Sequence, residues 1–297
     1  MSARGKIHSL FNSKIKQSPI GIIGMSSLIG VNLARILSDH GENVVGTSRQ
    51  RIKDHLFLDL DQPCDQWPGL PQLKTLIICA SMNSVDQCEM NVTQSLKQNV
   101  EAVGHLIGAY ASKQTQVVFF SSSHVFDGSK PFRKDIEKPH PKNTYGLHKM
   151  LAEEIVLHHG GTVIRLTKVI GPNFSRFQDW VNNLKAGQKI RCLSDLHTSL
   201  ISLENTVNLI KRVIDLDKRG IIHFSGPEDR SYYNIAQIIA KRLGLNEALI
   251  EPQTQENTET STKINHTTLQ NSEFVREIGI SNPNTRELIG AWCKHLE

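Results

Sequence analysis

The amino-acid sequence predicts an α/β fold built on a doubly wound parallel sheet. Short apolar runs alternate with segments of helical periodicity along most of the 297 residues, and this alternation is typical of strand–helix–strand units. The first apolar run leads through a glycine-spaced turn into a helix, and the fifth ends in three serines. The predicted strands lie at residues 20–24, 43–49, 55–60, 76–81, 116–120, 162–166 and 221–224. The longer predicted helices lie at residues 91–112, 145–159, 174–186, 204–216 and 231–244.

Composition and charge limit the classes of ligand. The net charge of +5 suits anionic small ligands such as nucleotides, and the basic residues are dispersed, which argues against a nucleic-acid partner. The five cysteines lack Cys-x-x-Cys spacing, so we interpret them as reduced thiols of a cytoplasmic protein and not as a disulfide or zinc framework. No apolar run approaches the length of a membrane span. We therefore expect no metal, membrane or nucleic acid among the partners.

The first strand and its turn have the arrangement of a dinucleotide-binding unit. Gly24 permits a tight turn directly after the strand. The helix that follows presents free backbone N–H groups at its N-terminus, where a pyrophosphate binds. The turn residues expected beside the cofactor, in addition to Gly24, are Ser26, Ser27, Leu28 and Ile29.

The second strand ends in Ser48 and Arg49, with no acidic residue. Enzymes that prefer NAD place a carboxylate here for the ribose hydroxyls, whereas a cation suits the 2′-phosphate of NADP. Arg51 stands nearby and offers a second cation. The pattern therefore predicts NADP(H) as cofactor, with Ser48 and Arg49 as phosphate contacts. The alternative is that Arg49 is only a solvent-exposed residue at the strand end and binds no phosphate.

Tyr145 and Lys149 form the candidate catalytic pair. They are four residues apart on a predicted helix, so they lie on one face about one turn apart. A free tyrosine has a pKa of about 10, and a lysine ammonium beside it favours the phenolate and lowers that pKa. Ser122, at the end of the fifth strand, supplies a hydroxyl that can hold a carbonyl oxygen beside the phenol. These residue types suit ketone reduction when a hydride donor is present.

Two motifs relate the chain to a known family. Residues 121–128 read Ser-Ser-Ser-His-Val-Phe-Asp-Gly, and residues 145–149 read Tyr-Gly-Leu-His-Lys. The dTDP-4-dehydrorhamnose reductase group of the extended short-chain dehydrogenase/reductases carries Ser-Thr-Asp-Tyr-Val-Phe-Asp-Gly and then Tyr-Gly-x-x-Lys. The chain resembles this group from about residue 19 onwards. Residues 1–18 carry basic residues but no apolar core, so we expect a flexible arm, with an organellar presequence as the alternative. The resemblance implies a Rossmann domain for NADP at residues 19–166 with 203–225. It also implies a smaller mixed substrate domain at residues 167–202 with 226–297.

The resemblance also implies cofactor contacts from other strand ends and from one helix. The matching positions are Asp59, Leu60, Ala80, Ser81 and Asn99. In the family the Asp-Leu pair contacts the adenine, the next two residues line the cofactor, and the asparagine supports the site. Tyr145 and Lys149 are implied cofactor contacts as well, because the lysine binds the nicotinamide ribose besides tuning the tyrosine.

The substrate side departs from the family. Ser123 and His124 replace the group's Asp-Tyr, and Lys168 stands where the family's tryptophan packs on the sugar. The side chains expected to contact substrate are Ser123, His124, Val125, Phe126, Lys168 and Trp180. Trp180 is equally well explained as a core residue of its helix. Because a cation replaces an apolar platform, we expect an acidic or more polar nucleotide sugar rather than dTDP-4-dehydrorhamnose.

These observations favour an NADP(H)-dependent reductase of a nucleotide-linked keto-deoxy sugar, with Tyr145 as proton donor. Two alternatives stay open. One is a sugar-nucleotide epimerase that uses bound NAD(P). Ser123 and His124 stand where dehydratases typically carry Asp-Glu, which argues against a dehydratase but not against an epimerase. The other is a non-catalytic NADP-binding regulatory subunit, because the methionine adenosyltransferase beta subunit shares this fold and much of the motif set. The expected partner is the nucleotide-sugar substrate, and a homodimer is left open.

Overall fold

The structure, a computed structural model, describes residues 18–257 and 263–296, so the expected arm lies outside the described residues except for Ser18. The chain divides into two compact units. Within the described residues, the first unit holds 18–121, 148–164 and 210–221, and the second holds 122–147, 165–209 and 222–296. The loop that follows the fifth strand lies in the second unit.

A seven-stranded parallel sheet is the central element, which confirms the predicted fold class. The strands, numbered along the chain, are β1 Ile20–Ile23, β2 Val44–Ser48, β3 Leu56–Phe57, β4 Thr75–Ile78, β5 Gln116–Ser122, β6 Thr162–Leu166, β7 Lys168–Ile170, β8 Ile190–Leu193, β9 His197–Thr198, β10 Leu200–Ser202, β11 Gly220–Phe224, β12 Arg230–Ser231 and β13 Ile250–Gln253. The order in the sheet is β11-β6-β5-β4-β1-β2-β3. Strand order reverses between β1 and β4, the place where open α/β sheets bind ligands.

The third strand is shorter than predicted. Residues 55–60 were expected to be extended, but only Leu56–Phe57 form β3. This strand lies at the edge of the sheet and pairs with β2 alone. Leu56 is exposed, whereas Leu58 and Leu60, which follow the strand, are buried in the core of the first unit.

Helices connect the strands as the periodicity predicted. They are α1 Leu28–Asp39, α2 Val85–Met90, α3 Val92–Leu96, α4 Ala102–Tyr110, α5 Thr144–His158, α6 Ser175–Lys185, α7 Leu203–Asp215, α8 Tyr232–Leu243, α9 Glu273–Glu277 and α10 Thr285–Cys293. The predicted helix at 91–112 is interrupted, because a π-helical turn, Lys97–Glu101, separates α3 from α4. The predicted cap of α8 is confirmed, since the Ser231 hydroxyl accepts from Asn234 N at 3.1 Å.

Each unit has its own hydrophobic core. In the first unit, buried residues of the strands pack against α4 and α5, with Leu106, Val117 and Val156 almost fully buried. In the second unit, α6, α8 and α10 pack together around Phe177 and Ile239. No helix in the described part of the chain is long and apolar enough to cross a membrane.

Candidate active site

The glycine-spaced turn after β1 is tightly packed. Gly24 has a φ of +82°, and a Cβ added there would lie 2.8 Å from the backbone nitrogen of Ala80. A side chain would therefore be strained by both its conformation and its neighbour. Thr47 fixes the turn, because its hydroxyl accepts from Gly24 N at 3.3 Å and its carbonyl accepts from Met25 N at 2.8 Å.

The N-terminus of α1 follows this turn directly. Ser27 caps the helix, and its hydroxyl accepts from Gly30 N at 3.1 Å. Leu28 and Ile29 are the first two helical residues, and their N–H groups have no acceptor within the helix. An anion such as a pyrophosphate fits this arrangement, because it would accept from those N–H groups at the positive end of the helix dipole.

The two predicted phosphate contacts at the end of β2, Ser48 and Arg49, have different surroundings. Ser48 is buried, and its hydroxyl lies 3.0 Å from the Ser26 hydroxyl and accepts from Gln50 N at 2.9 Å. It therefore braces the turn. Arg49 is exposed, whereas the guanidinium of Arg51 lies 5.0 Å from the centre of the Phe57 ring. Arg49 is thus the better placed of the two cations to meet a phosphate.

A cavity of about 430 Å³ lies beside Arg49 in the first unit. We call it the Arg49 cavity. Its lining residues are Arg49, Ser81, Met82, Asn83, Gln87, Met90, Asn91, Gln94 and Gln98. Two predicted cofactor residues, Arg49 and Ser81, therefore share one cavity. The side-chain amides were missed, because isolated asparagines and glutamines on α2 and α3 form no recognisable motif.

Of the remaining predicted cofactor residues of the first unit, Asn99 and Asp59 hydrogen-bond to neighbouring backbone. Asn99 lies in the π-helical turn, and its amide bonds both the N–H and the carbonyl of Met82, at 2.8 and 2.9 Å. Asp59 accepts from Asp61 N at 3.1 Å, and Leu60 is buried in the core. The Asn99 amide therefore fixes the segment after β4. The π-helical turn that carries Asn99 is a feature frequent at functional sites.

Lys149 is a buried cation on α5. Its Nζ donates to the Phe120 carbonyl at 2.9 Å and lies 4.6 Å from the centre of the Phe119 ring. Burial lowers the pKa of Lys149 to about 8, although the nearby Cys88 and Glu153 favour the charged form. The ammonium is therefore held at the end of β5 and loses its proton more readily than an ordinary lysine.

Gly146 brings the first turn of α5 close to the loop after β5. A Cβ at Gly146 would lie only 2.0 Å from the His124 carbonyl oxygen, so no other residue fits without a shift of the backbone. The Asn143 side chain caps this turn by accepting from Gly146 N at 2.7 Å. Tyr145 packs edge-to-face on His124, with ring centres 5.7 Å apart. The predicted proton donor and His124 are thus neighbours.

The hydrogen bonds of His124 fix its tautomer. Asn143 accepts from Gly146 N through its oxygen, so its Nδ2 is the atom that donates to His124 Nδ1, at 3.2 Å. The proton of the neutral ring must then lie on Nε2. Burial and the Lys168 cation lower the pKa of His124 to about 4. At neutral pH His124 is therefore an uncharged hydrogen-bond donor.

A smaller cavity, of about 70 Å³, lies in the second unit. We call it the Lys168 cavity. Its lining residues are Ser122, Ser123, His124, Leu166, Thr167, Lys168, Leu196, Thr198, Tyr232 and Thr267. Four predicted residues therefore meet here, namely Ser122, Ser123, His124 and Lys168. The threonines and Tyr232 were missed, since they come from separate segments that the sequence gives no reason to join.

Three predicted substrate contacts do not line this cavity. Val125 and Phe126 are almost fully buried, and the guanidiniums of Arg133 and Arg165 lie 5.5 and 5.2 Å from the Phe126 ring. Trp180 stacks 5.5 Å from Phe177 in the core of the second unit. Its place agrees with the alternative explanation as a core residue.

Two relatives align with most of the chain. The spore coat polysaccharide biosynthesis protein SpsK of Bacillus subtilis (strain 168) is 29% identical over 251 residues, 79% of this chain and 83% of SpsK. The methionine adenosyltransferase 2 subunit beta of Xenopus laevis is 28% identical over 250 residues, 79% of this chain and 75% of that protein. Both a polysaccharide biosynthesis protein and a subunit of another enzyme are thus similar to this chain.

Solved structures share the fold. The dTDP-4-dehydrorhamnose reductase of Bacillus anthracis str. Ames, in complex with NADP, superposes with a TM-score of 0.80 at 19% identity, over 93% of this chain and 98% of that one. The family model described as the RmlD substrate binding domain matches residues 18–297. The chain therefore belongs to the RmlD substrate-binding domain family, that of the sugar-nucleotide reductases resembling dTDP-4-dehydrorhamnose reductase.

Proposed function

We propose that the protein is an NADP(H)-dependent reductase of a nucleotide-linked keto-deoxy sugar. The observation that carries the proposal is the Lys168 cavity, where Ser122 and the neutral donor His124 meet a cation. Thr167 adds a buried hydroxyl that has no hydrogen-bond partner among the described residues. Buried polar groups are normally paired, so a polar substrate such as a sugar would satisfy it.

The chain's own residues handle the proton and the carbonyl oxygen. Ser122 and Tyr145 hold the oxygen by hydrogen bonds, and Tyr145 donates the proton as the alcohol forms. Lys149 favours the phenolate that remains and would hold the nicotinamide ribose of the bound cofactor. The cofactor, when bound, supplies the hydride to the carbonyl carbon.

The proposed cofactor is NADP(H). The N-terminus of α1 suits the pyrophosphate, and Arg49, exposed at the end of β2 and lining the Arg49 cavity, suits the 2′-phosphate. The sequence at the end of β2, Ser48-Arg49, has no acidic residue that would repel that phosphate. The complex of the Bacillus anthracis reductase with NADP agrees with this choice.

The experiment is a screen of nucleotide-diphospho-keto-sugars with NADPH, followed through the loss of NADPH absorbance. Tyr145→Phe keeps the ring but removes the proton donor, so turnover should fall about 10²–10⁴-fold while NADPH affinity changes little. Tyr233→Phe, which alters a half-buried tyrosine of α8, is the matched control and should keep wild-type turnover. Tyr145→Phe with most of its activity intact would exclude Tyr145 as the proton donor.

A second candidate is a non-catalytic NADP-binding regulatory subunit. The similarity to the Xenopus laevis methionine adenosyltransferase 2 subunit beta, 28% over 250 residues, favours it. A regulatory subunit would bind NADPH but consume none in the presence of any keto sugar. NADPH binding without ketone-dependent oxidation across the whole screen would therefore support this candidate over the reductase.

A further inference from the structure

We propose that His197, Asp229 and His266 form a zinc-binding site in the second unit. One ligand atom from each side chain lies within 4.8 Å of the other two. Two imidazoles and one carboxylate are a ligand set of zinc sites that keep a fourth position for water. The site departs from our expectation of no metal, because its members are more than thirty residues apart and form no sequence motif. It does not depend on the proposed function.

The backbone holds the two histidines side by side. His197 lies in β9 and forms a parallel bridge with His266. The N–H of His197 donates to the Asn265 carbonyl at 2.7 Å, and Thr267 N donates to the His197 carbonyl at 3.0 Å. The two rings stack with centres 5.1 Å apart. Both imidazoles are therefore placed together before any ion binds.

A hydrogen bond from a neighbouring side chain orients the Asp229 carboxylate, as is usual for metal-binding carboxylates. The Thr268 hydroxyl donates to one of its oxygens, Oδ1. The other, Oδ2, lies 2.6 Å from His266 Nδ1. The carboxylate thus turns its second oxygen towards the histidine pair.

His197 also has a ring nitrogen that lacks a partner. Its Nδ1 is buried and makes no hydrogen bond to the residues that the structure describes. Buried side-chain nitrogens are normally hydrogen-bonded, and a neutral imidazole nitrogen is the commonest metal ligand in proteins. Coordination to zinc would satisfy this atom.

The geometry needs a small adjustment. Ligand atoms on one tetrahedral zinc ion lie about 3.3 Å apart, given bonds of about 2.0–2.1 Å. The observed spread is at most 4.8 Å. Zinc binding would therefore need rotations of the partly buried His197 and His266 side chains about χ1 and χ2, and the 2.6 Å contact between His266 Nδ1 and Asp229 Oδ2 would have to lengthen.

Zinc at this site would fix part of the wall of the Lys168 cavity. Thr198 and Thr267, which line that cavity, directly follow His197 and His266 in the chain. The ion would tie β9 to the residue before β12 and to the segment around His266. Zinc would therefore hold the threonine side of the cavity in place while its fourth position stays open to water.

The test uses the full chain without a polyhistidine tag, stripped of metal by a chelator and titrated with Zn²⁺ by calorimetry. We expect one zinc ion per chain. Cobalt should give the visible absorption of a tetrahedral nitrogen–oxygen site without thiolate bands. His197→Ala, His266→Ala and Asp229→Asn should each weaken zinc binding at least tenfold. Asp229→Asn preserves shape, and circular dichroism of each variant checks that it folds.

Two control variants separate this site from other ligands of zinc. His158→Ala removes an exposed histidine of α5, and Cys64→Ser removes the exposed thiol. Both should bind zinc as the wild type does. Absence of saturable zinc binding, wild-type affinity in folded Asp229→Asn and His197→Ala, or loss of binding in Cys64→Ser alone would each overturn the proposal.

Discussion

At the scale of single residues, the buried charge of Lys149 affects stability. Burial lowers its pKa to about 8 from 10.5, so the folded state disfavours the ammonium. Sequestering this charge costs stability in full below about pH 8, and the cost is relieved as pH rises towards the pKa of the unfolded chain. The wild type should therefore gain stability from this residue between pH 8 and 10.5.

Lys149→Met removes this titration. The free energy of unfolding of the variant, minus that of the wild type, should fall by roughly 2 kcal/mol between pH 7 and pH 10. The lost bond to the Phe120 carbonyl adds an offset that does not depend on pH. Denaturant unfolding at several pH values measures the difference, with the exposed Lys142→Met as control. A difference that stays constant with pH would mean that Lys149 titrates normally.

Lys168 is the residue expected to select the substrate. Its cation lies in the cavity that holds Ser122 and His124, so it favours a nucleotide sugar with a carboxylate or another polar group near the ketone. A charge-assisted hydrogen bond contributes about 1.5–3 kcal/mol, so Lys168→Met should lose about ten- to a hundredfold of this preference. The measurement is kcat/KM for an acidic and a neutral keto-sugar nucleotide.

The same measurement on Lys142→Met, a surface lysine outside the cavity, should show the wild-type preference. Efficient reduction of dTDP-4-dehydrorhamnose, unmatched by any other compound, would contradict the role assigned to Lys168.

At the scale of secondary-structure elements, the cap of α1 combines stability with ligand binding. Ser27 is the N-cap residue of α1, and its hydroxyl accepts from Gly30 N at 3.1 Å. Ser27→Ala should cost about 1 kcal/mol of unfolding free energy, whereas Ser27→Gly should cost only a few tenths. Glycine also lets a pyrophosphate approach the backbone more closely, so Ser27→Gly should bind NADPH at least as tightly as the wild type. Equal destabilisation by the two variants would argue against the cap.

The interrupted helix illustrates what periodicity does and does not predict. The apolar spacing over residues 91–112 predicted one helix, and α3 and α4 confirm its extent. The π-helical turn between them directs Asn99 towards Met82, which lies seventeen residues earlier in the chain. Periodicity within the helix contains no information about such a distant partner. The π-helical turn changes the helical winding without changing the apolar spacing, so the role expected of Asn99 came only from the family resemblance.

At the scale of the whole chain, the sheet was predictable because buried parallel strands are continuous apolar runs. Ser122, His124 and Lys168 were also found, since each lies at or just after a strand end. Thr198 and Thr267 were not, because their strands are short or absent and long-range pairing brings them to the cavity. Trp180 lies in the core of the second unit, which agrees with the alternative given for it, because an aromatic residue on an amphipathic helix more often fills the core.

At the same scale, a bound cofactor should stabilise the whole chain. A ligand that binds the folded state at a hundred times its Kd stabilises it by about 2.7 kcal/mol. If NADPH binds about ten- to a hundredfold tighter than NADH, the same concentration of NADH should add only about 0.4–1.4 kcal/mol. Arg49→Ala should reduce the NADPH effect more than Arg51→Ala does, because Arg51 packs on Phe57 while Arg49 lines the cavity.

Denaturant midpoints of the wild type and both variants, with each cofactor at one concentration, give these values. Apo stability serves as the baseline for each variant, because a change in the free protein would otherwise be mistaken for weaker binding. Equal stabilisation of the wild type by NADPH and NADH would remove the 2′-phosphate role from Arg49. A larger effect of Arg51→Ala would instead move that role to Arg51, which would then have to leave the Phe57 ring to reach the phosphate.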